Sequence, residues 1–142
     1  MTQDFVRLAA VSDVAVDTAA VAALVDDARA GAVVTFVGAV RNHDGGRDVT
    51  SLSYSAHPSA EANLREVADE FRGREGVHAV AVVHRVGELA IGDVALFAVV
   101  AASHRGQAFS CASDLVDRVK ESVPIWKHQH YADGTSDWSN LP

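Results

Sequence analysis

At 142 residues, 49% hydrophobic and 22% charged, the chain has the make-up of one ordinary folded domain able to bury a sizeable core. A net charge of -7 excludes wholesale nucleic-acid binding, which needs a basic face against phosphate, but leaves room for a small anion held by a few converging cations. The single cysteine, Cys111, excludes an intrachain disulfide and a Cys-rich metal site.

Met1-Thr2-Gln3-Asp4 has neither the basic nor the apolar run of a signal peptide, and no apolar run reaches transmembrane length. A reducing cytoplasm is the expected compartment. Phe5 to Val11 reads as a strand. Asp17 suits the N-cap of a helix through Ala30, with Val21, Leu24, Val25 and Ala28 at helical spacing and Gly31 as its stop. Ala32 to Val40 is a nearly all-apolar strand, which predicts cover on both faces. Arg41-Asn42-His43-Asp44-Gly45-Gly46-Arg47-Asp48 predicts a mobile polar loop.

Val49 to Ser55 resumes as a strand. A second helix starts at His57-Pro58-Ser59, carries a stripe of Leu64, Val67, Ala68 and Phe71, and ends near Gly73. Val77 to Val86 and Val94 to Ala101 are strands, joined by the turn-rich Gly87 to Asp93. A third helix runs from about Arg105 to Ser122, and Pro124 to Tyr131 is extended, followed by Asp133-Gly134 and a tail with Trp138. The order β-α-β-β-α-β-β-α-β implies a compact single α+β domain over residues 1–142 with a mixed or antiparallel sheet.

The third helix constrains function. Ala108, Phe109, Ala112, Leu115, Val116 and Val119 share one face. Arg105 lies within that face and Lys120 at its edge, and a charge against a core needs an anion, a partner or a cleft. Ser103 can cap the helix, whose free N–H groups and dipole, with the Arg105 fork, favour an anion. Arg105 and Lys120 stand about 22 Å apart along a continuous helix at ~1.5 Å per residue. If both serve one site, a second copy must bring its His104 and Arg105 to the first copy's lysines, which predicts a symmetric dimer.

Those lysines are conspicuous: only Lys120 and Lys127 occur, flanking Val123-Pro124-Ile125-Trp126, and every other fixed cation is arginine. An ammonium, unlike a guanidinium, can serve as base, nucleophile or compact point charge. If the last segment is extended, Ile125, Lys127, Gln129 and Tyr131 share one face and Trp126, His128 and His130 the other. Two histidines without a third ligand do not make a metal site, so none is expected and both read as surface or partner contacts. Trp126 reads as core or interface.

Several collinear segments together resemble the large, catalytic MoaE family of molybdopterin synthase subunits. They are Gly31 to His43, Val83-His84-Arg85-Val86-Gly87-Glu88-Leu89 with Gly92-Asp93, Ser103-His104-Arg105 with Ala108-Phe109, and Lys120 with Pro124-Ile125-Trp126-Lys127. The resemblance implies an alpha/beta-hammerhead-like fold and a sulfurtransferase of molybdenum cofactor biosynthesis with no bound cofactor. Sulfur would pass from the thiocarboxylated C-terminal Gly-Gly of a small ubiquitin-like carrier to cyclic pyranopterin monophosphate (precursor Z), forming the dithiolene of molybdopterin. It also implies a homodimer within a heterotetramer, with no nucleic-acid or membrane partner.

By the same resemblance Lys120 and Lys127 are the catalytic lysines, with Lys127 beside the thiocarboxylate. Ala39, Val40, Arg41, His104, Arg105, His128 and Gln129 complete the substrate-binding set. Ala39 stands where a basic residue is often found, and Gln129 where many members have a glutamate. An alternative from another class is a non-catalytic sensor of an anionic pterin or nucleotide. A hydrolase using His128 and His130 would require a bound metal.

Overall fold

The computed structural model describes residues 4–140. Met1 to Gln3, part of the segment searched above for a signal peptide, lie outside them. The elements run β1 (Val6–Ser12), α1 (Thr18–Ala23), β2 (Ala32–Ala39), β3 (His43–Asp44), β4 (Arg47–Ala56), α2 (Ala60–Asp69), β5 (Val77–Arg85), β6 (Gly87–Ala90), β7 (Val94–Ala102), α3 (Arg105–Ser122), β8 (Ile125–Tyr131) and β9 (Ser136–Asn140). The mixed α+β architecture expected from the sequence is present, divided between two sheets.

The first sheet has the order β1-β5-β7-β2, with β1 parallel to β5 and the other pairs antiparallel. α2 and α3 cover one face: Leu64, Val67, Leu115 and Val119 pack on Val80, Val82, Ala98 and Val100. Val21 of α1 and Val25 just beyond it cover part of the other face, over Ala81, Val83, Val99 and Ala101. The central strands β5 and β7 are buried on both faces, so they read as continuous apolar runs. The second sheet has the order β3-β4-β8-β9, with β6 also paired to β4. Val40, Leu52, Leu89 and Ala95 form a small core of their own.

Several expectations change. α1 is N-capped as predicted, Asp17 Oδ1 accepting from the Ala20 N–H at 3.1 Å, but it ends at Ala23 instead of Ala30. Arg7 explains the early stop: its guanidinium donates to the carbonyls of Leu24 (2.9 Å) and Asp26 (3.3 Å) and to the Asp27 carboxylate (3.0 Å). These bonds hold the chain in a non-helical path. Arg29 and Arg7 together hold the Asp27 carboxyl well below the usual carboxylate range.

β2 is not covered on both faces. It is an edge strand with alternating exposure, in which Val33 and Val37 stay about half exposed, at 54% and 50%. The loop after it is ordered as a hairpin. Gly45 and Gly46 both take positive φ (58° and 78°) in the two-residue turn joining β3 to β4, a conformation that suits glycine. Two further segments taken as turn and tail, β6 and β9, are strands that pair with β4 and β8.

α3 has the predicted bounds and buries Ala108, Cys111, Ala112, Leu115, Val116 and Val119. Ser103 does not cap it. Its hydroxyl lies 2.7 Å from His78 Nε2, and the N-cap residue is His104, whose N–H donates to Gln107 Oε1 at 3.1 Å. Gln107 lies against Gly76, whose φ of +76° and lack of a Cβ make room for it. Phe109 and Arg105, placed with the apolar face by sequence, are exposed in this chain.

Candidate active site

Both lysines open into one cleft of about 230 Å³ where the two sheets meet. Lys120 arrives on the last turn of α3, where a cation also suits the helix dipole. Lys127 arrives on β8, directly across the ladder from Tyr54 on β4. Ala39 and Arg41 come from the end of β2, and His84 from the end of β5. The floor is shaped by an irregularity: the β2–β7 register slips between Gly38 and Ala39, leaving Ala95 as an extra residue on β7. Gly38, Ala39, Ala95 and Leu96 all line the cleft at that point, as bulges often do beside a site. A Cβ on Gly38 would stand 3.2 Å from the Phe36 ring.

The β8 face pattern predicted from sequence is present. Ile125, Gln129 and Tyr131 are buried on the side that carries Lys127, and Trp126 is exposed on the other. Gln129 is buried and does not line the cleft; its Nε2 donates to Asp44 Oδ2 at 2.7 Å. Asp44 in turn lies 3.7 Å from the Arg41 guanidinium. His128 faces away from Lys127 and stacks on Trp138, with ring centroids 4.2 Å apart and planes within 6°. The His130 ring lies 4.4 Å from that of His128. Among the described residues no three His, Cys, Asp or Glu side chains converge as a metal site requires.

Val40 contributes no side chain to the cleft. It is buried with Leu52 and Leu89, and its backbone exchanges hydrogen bonds with Asp93 O (3.0 Å) and Gly92 N (2.9 Å). Its part is to fix the strand end that carries Ala39 and Arg41. His104 and Arg105 lie at the opposite end of α3 and do not line the cleft of their own chain.

Two cleft residues were missed by sequence reasoning. His84 is almost fully buried, and its Nδ1 lies 2.8 Å from the Arg85 carbonyl. A carbonyl only accepts, so Nδ1 carries the proton and Nε2 keeps its lone pair. Burial pushes this histidine down to about 4, the Arg85 carbonyl opposes that shift, and the Lys120 charge adds to it. Near neutral pH the ring is therefore an uncharged acceptor beside an ammonium. Tyr54 meets His84 edge-on at 4.9 Å, and burial pushes its hydroxyl up, keeping it a neutral donor. A lone histidine closing the apolar run Val80 to Val83 was the available signal for His84; Tyr54 gave none beyond strand alternation. Arg85, next in the motif, braces the β5–β6 turn instead, reaching Asp93 at 3.3 Å while Asp93 accepts from the Ala90 N–H at 2.9 Å.

The cleft can thus collect three cations, a neutral acceptor and a neutral donor around one small anion, within a chain of strongly negative net charge. Comparisons with known proteins agree with one another. The family model described as MoaE protein matches residues 11–122. The chain is 36% identical over 121 residues to a molybdopterin synthase catalytic subunit of Nostoc sp., covering 84% of this chain and 73% of that one. It is 41% identical over 120 residues to molybdopterin synthase catalytic subunit 1 of Mycobacterium tuberculosis, covering 83% and 80%. Among solved structures it is similar to molybdopterin synthase from Staphylococcus aureus, with a TM-score of 0.84 and 33% identity over 91% of this chain and 94% of that one.

Proposed function

The chain belongs to the MoaE protein family, and on that premise we infer that it is the catalytic subunit of a molybdopterin synthase. It transfers sulfur from the thiocarboxylated C-terminus of a small ubiquitin-like carrier to precursor Z, forming the dithiolene. The observation that carries this reading is the convergence of Lys120, Lys127 and Arg41 on one cleft from α3, β8 and the end of β2.

The chemistry suits that arrangement. Substrate phosphate and carrier thiocarboxylate are both anions, and bringing them together in water would cost mutual repulsion. Three fixed cations offset that repulsion, and they act more strongly in a partly enclosed cleft than in bulk solvent. Lys127 stands beside the thiocarboxylate and offsets its negative charge as the sulfur approaches the pterin. Lys120 holds the substrate phosphate or the charge developing on the pterin. The neutral His84 Nε2 can accept a hydrogen bond from substrate, which an imidazolium could not. Tyr54 donates.

His104 and Arg105 enter this reading from a second copy. Phe109 on α3 (61% exposed), beside Val34 and Phe36 of the edge strand β2, supplies an apolar surface of the kind a symmetric dimer buries. The carrier binds at the outer end of each copy, giving a heterotetramer. No helix of the described residues is long and apolar enough to cross a membrane, and a cytoplasmic site of action goes with this reading.

Reconstitution tests it. The purified chain, a thiocarboxylated Gly-Gly carrier and precursor Z should yield molybdopterin, followed as its fluorescent oxidation product. Lys127→Ala should abolish that product while leaving the dimer intact. Near-normal turnover by the variant would remove Lys127 from the chemistry, and no product from the parent chain would remove the sulfur-transfer reading.

A further inference from the structure

The hairpin of β3 and β4 delivers a carboxylate to the rim of a cleft whose other charges are positive. Asp44 sits at the tip of β3, two residues past Asn42 and immediately before the Gly45-Gly46 turn. Its Oδ2 accepts the buried Gln129 amide at 2.7 Å, and its Oδ1 lies 3.7 Å from Arg41. The Gln129 hydrogen bond, then the charges of Lys127, Arg41 and His43, hold its carboxyl below the usual range against the opposing effect of burial. Charge interactions are mutual, so the anion that these cations stabilise also stabilises and orients them.

We propose that Asp44 is a positioning residue of the reaction: clamped by Gln129, it supplies the counter-charge that holds Arg41 in its working place beside Lys127 and the bound anion. The proposal rests on the sulfur-transfer reading. Gln129 makes the geometry specific, because an amide donor on the rigid strand β8 fixes where a carboxylate on a Gly-Gly hairpin can stand. The clamp adds to the hairpin's two-residue ladder, the Val49 N–H bond to the Asn42 carbonyl (2.9 Å) and the exposed Arg41 pair. Asp44 acts through the arginine and need not touch the substrate.

Steady-state sulfur transfer with Asp44→Asn, Gln129→Glu and the double variant tests this. Asp44→Asn keeps the shape, and the new amide carbonyl can still accept from Gln129, so only the charge is lost. The kcat should fall roughly tenfold. The KM for the anionic pterin should fall too, because a repelling charge has left the rim. Gln129→Glu sets two carboxylates against each other and should also lower kcat. In the double variant the amide introduced on β3 donates to the carboxylate introduced on β8. The charge moves across the same hydrogen bond, and kcat should return to within about threefold of the parent. A brace of purely structural use would leave kcat and KM unmoved in Asp44→Asn. That result, or a double variant whose loss equals the product of the two singles, overturns the proposal while normal parent turnover leaves the function standing. No product from the parent chain would overturn the sulfur-transfer reading and this inference with it.

Discussion

Replacing His84 with glutamine isolates one titration from all the others in the chain. The native ring is pushed down to about 4, chiefly by burial, with Lys120 adding to the shift. An unfolded histidine titrates at about 6.5. The unfolded chain therefore takes up the proton first as pH falls, and this contribution to stability is complete above about 6.5 and lost progressively toward about 4. Integrated between those values, moving from about pH 7.5 to about pH 5 costs about 2 kcal/mol. For a chain of this size that is a fall of about 4–8 °C in Tm. His84→Gln does not titrate and escapes this loss. Urea midpoints for both proteins at both pH values, at one fixed protein concentration because association shifts them, give the comparison directly. The parent should lose about 2 kcal/mol more than the variant. Equal losses would refute the claim that His84 is held neutral at the cleft.

Three further outcomes follow from the same geometry. Lys120→Gln removes a charge that keeps His84 neutral, so it should shrink the pH-dependent difference between the parent and His84→Gln; no change would separate the two residues. Heterodimers of Arg105→Ala with Lys127→Ala contain one intact composite site, so they should recover about half the parent rate although each homodimer is inactive; no recovery in purified heterodimers would deny the shared site. Gly76→Ala forces a side chain into a left-handed backbone and displaces Gln107 from the start of α3. It should cost about 2 kcal/mol, read as a Tm fall of about 5 °C, and an unchanged Tm would contradict the packing described.

What the sequence made legible was what periodicity records. The 18-residue α3 carries enough repeats of its apolar stripe to fix both ends, and the apolar runs of β5 and β7 marked them as strands, though the similar run of β2 proved to be an edge. β3, β6 and β9 were not legible because they are short and bring at most one core side chain, Leu89 of β6: their partners define them, through pairing to β4 and β8. Gly45-Gly46 was a readable hairpin signal that loop composition obscured. The end of α1 is decided by Arg7, far from it in sequence, which no local pattern reports. In the site the lysines stood out by scarcity, whereas His84 and Tyr54 were hidden by strands that looked like core. The departure at Gln129 was visible, but its partner Asp44 needed the register of β3, β4 and β8 to bring it across.

The scarcity of lysine has a practical side. Because Lys120 and Lys127 are the only side-chain amines in the chain and both line the cleft, an acylating reagent aimed at primary amines is in effect a reagent for the site. Each adduct seen by mass spectrometry, beyond any at a free amino terminus, reports directly on cleft occupancy. The docked tail of the carrier should shield both amines at once. The fold thus carries its own built-in occupancy label, and engagement of the carrier can be followed without tagging either protein.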